Sequence, residues 1–366
     1  MTFQIDKPAN LIDLGVGQPD PELLPSGLFQ STSINTSHLG YGKEAGDERF
    51  RQTLSDWLSK EYGQPVLPEQ LLVSCGSSNA LNMICQQFAR PGATVLVEDP
   101  TYFIALKLIA EHGLKTVAIP MDEDGIQLDA LEAAIAEHQP AFIYSIPSFQ
   151  NPTGISQPDE RRRALVQLAK QHQCPVVADE VYQSLYFEQR PPPPLACYDP
   201  QAPVLSIGSF SKILAPGLRL GWIQASGPLR QQLLSSALLK SGGGLAPVTS
   251  ALVEPLIARG ELDEHLSGLR KTLQTRRDCL HHALEKHLAD RLQVNKPQGG
   301  YFLWATRTDG SDTTRALAAA KQARVAYLGG ALCGTDHRFA ASMRVCFAWY
   351  GERDLETACE RLARVF

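Results

Sequence analysis

Residues 208–222 read GSFSKILAPGLRLGW, a stretch that is neither a plain strand nor a plain helix. Ser209 and Ser211 precede a single lysine, Lys212, and Arg219 follows seven residues later. Between them Pro216-Gly217 breaks the regular backbone, since proline lacks the N–H a ladder needs and glycine opens the chain to turns. The apolar run PVLSIG (203–208) ends at this break. Hydroxyls, one ammonium and one guanidinium are thereby gathered at the end of a strand, a donor set suited to an anion.

That strand closes a series. Upstream, short apolar runs alternate with helical segments. LLVS (71–74) precedes SSNALNMICQQFARPG, and TVLVEDP (94–100) precedes YFIALKLIAEHG. KTVAIPM (115–121) precedes LDALEAAIAEHQ, AFIYSIPS (141–148) precedes PDERRRALVQLAKQHQ, and PVVADEVY (175–182) follows. Such spacing predicts βαβ units and a mainly parallel sheet, with ligands beyond the carboxyl ends of the strands. AGDERFRQTLSDWLSKEYG (45–63) reads as an amphipathic helix ending at Gly63. After residue 255 comes one long helix (261–288), three strand-like runs (RLQVN with GGYFLWAT, RVAYLGG, SMRVCFAWY) and a final helix. The expected fold is α/β. Residues 1–30 form an arm, 31–255 a large domain, and 256–366 a smaller α+β domain against which the arm packs.

The chain has 366 residues, 43% apolar, with a net charge of −5 and a pI near 6.0, so it offers no basic footprint for nucleic acid or an anionic membrane. RRR at 161–163 reads as a solvated helix face, and PPPP at 191–194 as a surface loop. No apolar stretch approaches the ~20 residues of a membrane span, and the start lacks the pattern of a secretory leader. Eight scattered cysteines show no metal-ligand spacing, which suits a reducing cytoplasm and no metal site. His38, His112 and His172 read as surface or capping residues.

The expected strand ends carry polar residues. LLVS runs through Cys75-Gly76 into Ser77-Ser78 and a helix, the form of either an anion site or an ordinary serine cap. TVLVED ends in Pro100-Thr101-Tyr102, AFIYSIPS runs into Asn151-Pro152-Thr153-Gly154, and PVVADEVY sets Asp179 at a strand end with Tyr182 three residues on.

Jointly, LGVGQPD, NPTG, DEVY, SFSK and MRVCFAW, in this order, resemble the fold-type I pyridoxal 5′-phosphate enzymes. They are most similar to the class I/II aminotransferases, in the branch of 2-aminoadipate aminotransferases and the aminotransferase-like domains of MocR-type regulators. The resemblance implies that Lys212 forms the Schiff base with the cofactor aldehyde. Ser77, Ser78, Ser209 and Arg219 would hold the phosphate, and Asp179 the pyridine nitrogen. Asn151 and Tyr182 would donate to the phenolic oxygen, and Tyr102 would stack on the ring. Gly17 and Arg344 would contact substrate, Arg344 through the α-carboxylate. In SMRVCFAW, alternation sets Met343, Val345 and Phe347 on one face and Arg344 with Cys346 on the other. Tyr41 corresponds to a tyrosine that reaches the phosphate of a neighbouring subunit, which implies a homodimer.

Where many relatives have Pro-Gly, this chain has Gly329-Gly330. The implied activity is ping-pong transfer of an amino group between an L-amino acid and a 2-oxo acid. Other reactions of the same cofactor (β-elimination, decarboxylation, racemisation, cyclisation) stay open, because fold and cofactor do not fix the bond cleaved. A ligand-sensing regulatory domain is disfavoured by the absence of room for a DNA-binding segment before the arm. The glycines of KSGGGLAP (240–247) suggest a mobile segment that shapes the substrate pocket.

If Tyr41 serves the partner's site, mixing inactive Lys212→Ala subunits with an inactive Tyr41→Ala variant should regenerate activity in hybrid dimers. A protein that is monomeric by sedimentation and fully active would overturn this.

Overall fold

In the computed structural model, which describes residues 6–366, the alternating apolar runs become a sheet. In chain order the strands begin with β1 (Ile12–Asp13), β2 (Leu71–Ser74), β3 (Thr94–Asp99), β4 (Lys115–Asp122) and β5 (Gly125–Ile126). They continue with β6 (Phe142–Ser145), β7 (Val176–Asp179), β8 (Val204–Ser209), β9 (Gly221–Ala225) and β10 (Leu292–Val294). The last are β11 (Phe302–Arg307), β12 (Val325–Ala326), β13 (Leu328–Gly329) and β14 (Ser342–Cys346).

Strands β2 to β9 form an eight-stranded sheet in the order β2-β9-β8-β7-β6-β3-β4-β5. Its centre, from β8 through β7, β6 and β3 to β4, is parallel, while β9 and β5 run antiparallel to their neighbours. Strands β6, β7 and β8 are buried along their whole length, which is why they read as continuous apolar runs rather than alternating ones. Asp99, Ser145, Asp179 and Ser209 are the last residues of β3, β6, β7 and β8. Four polar side chains thus emerge along one edge.

The second sheet is antiparallel, in the order β10-β11-β14-β13. The run RVAYLGG, expected as one strand, is split. Val325–Ala326 pairs in parallel with β1 of the arm, and Leu328–Gly329 pairs with β14. Between them Tyr327 is held by its hydroxyl, which donates to Thr313 O at 2.6 Å. With β11 and β13 on its flanks, all five residues of β14 are buried, so the alternation at Arg344 separates two covered faces.

Two surface expectations fail for one reason. Arg162, in the middle of RRR, is wholly buried, and only Arg163 of the three is exposed. Its guanidinium donates to Pro147 O, Pro192 O and Pro193 O at 2.8–3.0 Å, so the proline run is tied down, with Pro191 and Pro194 buried. A buried guanidinium needs acceptors and a counter-charge; the proline loop, rich in carbonyls and poor in N–H groups, supplies acceptors, and buried Glu180 lies 4.0 Å away.

The helix Glu48–Tyr62 ends at Gly63, whose φ of 65° is the left-handed cap. The arm is pinned to the long helix Glu261–Leu288 by Asp20, whose side chain is fully buried. It accepts from Arg276 Nη2 at 2.8 Å and pairs with Lys7 at 2.9 Å. Burial alone would raise the Asp20 carboxyl, but Lys7, the Glu22 N–H and Arg276 together hold it below 3.8.

Asp20→Asn keeps the shape and removes the charge, leaving Arg276 buried without a counter-ion. Urea unfolding should show a loss of about 3–5 kcal/mol at pH 7. Because the folded value is depressed, this contribution is complete above the ordinary carboxylate value of 3.8 and is lost as pH falls through the lower folded value. The difference between wild type and variant should therefore shrink in acid. A constant difference would show that the charge is not its source.

Candidate functional site

The carboxyl edge of the large sheet, the arm and the small sheet enclose a cavity of about 510 Å³. Among the expected residues, Tyr102, Asn151, Asp179, Tyr182, Lys212 and Arg344 line it, together with Gly17 and Ser77. These come from seven separate stretches of chain, so the wall exists only once the sheets have packed.

Lys212 is carried by the short helix Phe210–Ile213 that follows β8. Its Nζ donates to Gly17 O at 2.9 Å and lies 5.3 Å from the centre of the Tyr301 ring. The Tyr301 hydroxyl donates to Lys212 O at 3.0 Å and fixes the backbone below. Burial brings the ammonium down to about 8, enough for a sizeable neutral fraction near neutrality.

Asp179 ends a buried strand, and burial pushes its carboxyl up to about 6 against the hold of Tyr144, the Val181 N–H and Lys212. Tyr144, on neighbouring β6, donates from its hydroxyl to Asp179 Oδ2 at 2.8 Å. Oδ1 is buried and has no partner among the described residues. A bare carboxylate oxygen at this depth is a costly arrangement unless a ligand donor meets it.

Arg344 is buried, with its guanidinium 4.0 Å from the centre of the Phe302 ring. It donates through Nη1 to Asn151 Oδ1 and through Nη2 to Gly15 O, both at 2.8 Å. Two of its five N–H bonds are so engaged, and Nε is buried without a partner. Donors remain for a carboxylate.

At the far end, the helix Ser77–Phe88 starts with no side-chain cap, leaving its first N–H groups open. Gly76 precedes it with φ 83°, and a Cβ there would come 2.8 Å from Arg219 Nη2. Only glycine lets the guanidinium lie over the helix start. Arg219 itself takes the left-handed φ of 45° and donates to Ser211 Oγ at 3.3 Å. The resulting cradle of open N–H groups and a guanidinium fits a phosphate.

The remaining expected residues do not line this cavity. Ser78 and Arg219 are exposed, and the buried Ser209 hydroxyl accepts from the Ser211 N–H at 3.1 Å as a helix cap. Tyr41 is 91% exposed and outside the cavity of its own chain. None of residues 240–247 lines the cavity; Gly243 instead caps the helix Ala237–Gly242 and packs on Gly42. Sequence reasoning missed Tyr144, Ser211, Phe302, Lys321 and Tyr327. Ser211 was visible as the second hydroxyl of SFSK, and Tyr144 as the one polar-tipped residue inside an apolar strand, but only strand adjacency gives the tyrosine its partner. Among the described residues, His287, Glu356 and Glu360 are the one group close enough to share an ion, and they do not line this cavity.

The family described as aminotransferase class I and II matches residues 9–362. The aromatic-amino-acid aminotransferase 1 of Thermococcus litoralis is 32% identical, over 97% of this chain and 88% of that protein. The kynurenine aminotransferase of Pyrococcus horikoshii, in complex with PMP, superposes with a TM-score of 0.90 at 29% identity, covering 98% of this chain and 91% of that one. LysN, the α-aminoadipate aminotransferase of Thermus thermophilus, superposes with a TM-score of 0.88 at 28% identity, over 98% and 92%.

Tyr144→Phe removes the donor that keeps Asp179 ionised. Affinity for pyridoxal phosphate, measured by equilibrium dialysis, should fall about 10- to 100-fold, the worth of one hydrogen bond to a charged group. The lost hydroxyl lets the Asp179 carboxyl rise above about 6, so the deficit should be largest in mild acid and shrink as pH rises. Unchanged affinity across pH 5–8 would contradict this.

Proposed function

The chain belongs to the class I and II aminotransferases, and we propose that Lys212, Asp179 and Arg344 carry its reaction. It is a pyridoxal-phosphate-dependent aminotransferase that moves an amino group between an amino acid and a 2-oxo acid. The observation that carries the residue assignment is convergence. The Lys212 amine, the bare Asp179 Oδ1 and the unpaired donors of Arg344 face one cavity.

When bound, the cofactor supplies an aldehyde that forms a Schiff base with an amine and a ring that takes up the electrons left at Cα. The protein does the rest. Lys212 Nζ would be the amine that holds the cofactor and the base that takes the Cα proton, and a value of about 8 suits a base working near neutrality. Asp179 Oδ1 would meet the ring nitrogen and hold its proton, and Tyr144 holds the other carboxylate oxygen. As the resemblance implies, Asn151 and Tyr182 would donate to the phenolic oxygen, Tyr102 would cover a ring face, and Gly17 would contact the substrate. The open helix start at Ser77 and Ser78, with Ser211 and Arg219, would receive the phosphate, and Ser209 would reach it only by giving up its bonds to Ser211. Arg344 takes the α-carboxylate, and its bond to Asn151 couples substrate binding to the cofactor site.

The order of LGVGQPD, NPTG, DEVY, SFSK and MRVCFAW supports the branch of 2-aminoadipate aminotransferases and MocR-type domains. The cavity lining includes the apolar and aromatic side chains of Val16, Phe103, Ile104, Phe302 and Tyr327, which suits a bulky apolar substrate side chain. Lys321, exposed and without a partner among the described residues, stands at its rim and favours side chains ending in a carboxylate. A homodimer is supported by Tyr41, which is exposed near the exposed Leu39 and does not line its own chain's cavity. Eight free cysteines support the cytoplasm. Among the described residues no helix is long and apolar enough to cross a membrane.

Arg344→Lys keeps the charge but loses the planar fork, and should cost about 2–5 kcal/mol in kcat/KM for every amino acid and oxo acid, with cofactor content unchanged. Release of cofactor, or unchanged kcat/KM, would remove Arg344 from its role. Following the cofactor spectrum against a panel of amino acids, Lys321→Ala should lower kcat/KM for acidic side chains and leave norleucine and phenylalanine unaffected. An equal effect on all would show that Lys321 does not read the side chain.

A further inference from the structure

The two walls of the substrate cavity come from different parts of the chain. Tyr102, Phe103 and Ile104 stand at the carboxyl end of β3, whereas Phe302, Lys321 and Arg344 belong to the small sheet and its helix. Besides the Arg344 guanidinium, 5.9 Å from the centre of the Phe103 ring, three polar contacts join residues 99–101, just before the first wall, to the 331–339 loop, and none of the residues making them lines the cavity. The Thr101 N–H donates to Cys333 O at 2.7 Å. The Thr335 N–H donates to Asp99 Oδ1 at 3.3 Å, and Arg338 Nη1 lies 3.1 Å from Asp99 Oδ2. We propose that Asp99 and Arg338 are positioning residues, a clasp that holds the 331–339 loop on residues 99–101 and so sets the width of the substrate cavity.

The two ends of the clasp are built unequally. Asp99 is fully buried at its side chain and its carboxyl is pushed up by burial, so it depends on what the loop brings: one hydrogen bond, from the Thr335 N–H to Oδ1, and the opposite charge of Arg338 beside Oδ2, which accepts no hydrogen bond. Arg338 is half-exposed and already gripped by Asp336 at 2.7–3.0 Å, which orients the guanidinium before it reaches across. The base of the loop is tight. A Cβ on Gly330 would come within 2.5 Å of Phe339 O and 2.7 Å of Ser342 O, which explains a glycine here whatever residue precedes it. Phe339 packs edge-on to Trp304, and Trp304 is the register partner of Arg344. A shift of the loop therefore reaches the strand that carries the carboxylate anchor. Since a misplacement of about 1 Å can cost on the order of 100-fold in rate, a modest loosening is measurable.

The inference rests on the aminotransferase reading, and its test separates the two. In the holoenzyme, Arg338→Met and Asp99→Asn should each lower kcat/KM roughly 5- to 20-fold, mainly through KM, and the double variant should lose no more than either single one. Amide hydrogen exchange should quicken at Thr101 and Thr335 alone, with cofactor content and melting temperature close to wild type. The clasp is overturned by unchanged exchange at both amides, by kcat/KM within twofold of wild type, or by losses that multiply in the double variant. A wild-type protein without transaminase activity would count against the functional reading, while the exchange measurement would still decide the clasp.

Discussion

A carboxylate buried at the end of a parallel strand is the constraint on which this site depends. Asp179 is buried, and its own fold satisfies one oxygen and leaves the other bare. Such a group persists only where a donor arrives from elsewhere, because an unmet buried anion is costly. The same depth that raises Asp179 lowers Lys212, so one dry pocket tunes an acid and a base in opposite directions. Depth comes from the sheet, whose central strands are covered on both faces.

Around that pair the protein assembles walls that do not share an origin. Arg344 bonds to Asn151, which follows β6, and to Gly15, in the arm. One guanidinium thus ties the large sheet, the small sheet and the arm at the wall of the cavity. Lys212 makes a second tie to the arm through Gly17 O. The arm, anchored by Asp20 on the long helix, is therefore a structural part of the cavity. The phosphate end is different, since Arg219 and Ser78 lie exposed, and Tyr41 is turned away from its own chain.

The order of elements and the mainly parallel sheet were legible because they follow from local pattern, while Lys212, Asp179, Asn151 and Arg344 were singled out by the family resemblance of their motifs. β-branched runs between helical segments mean βαβ units, and in such units the chemistry collects at strand ends. What misled was the judgement of exposure. RRR looked solvated because three charges in a row usually are, yet Arg162 found its acceptors in a proline loop thirty residues away. RVAYLGG looked like one strand because pairing partners are invisible in a single run, and only the arm could claim Val325–Ala326.

By itself the sequence determined which residues stand at strand ends and which chemistry they bring, since backbone propensity and side-chain type are local properties. Tertiary structure alone decided who meets whom. Tyr144 reaches Asp179 because β6 and β7 are neighbours, Ser209 became a cap while Ser211 faced Arg219, and Lys321 came to the cavity rim through the packing of a small-domain helix. These contacts join residues up to hundreds of positions apart, and their energies depend on burial and direction, quantities that exist only after the sheets have packed.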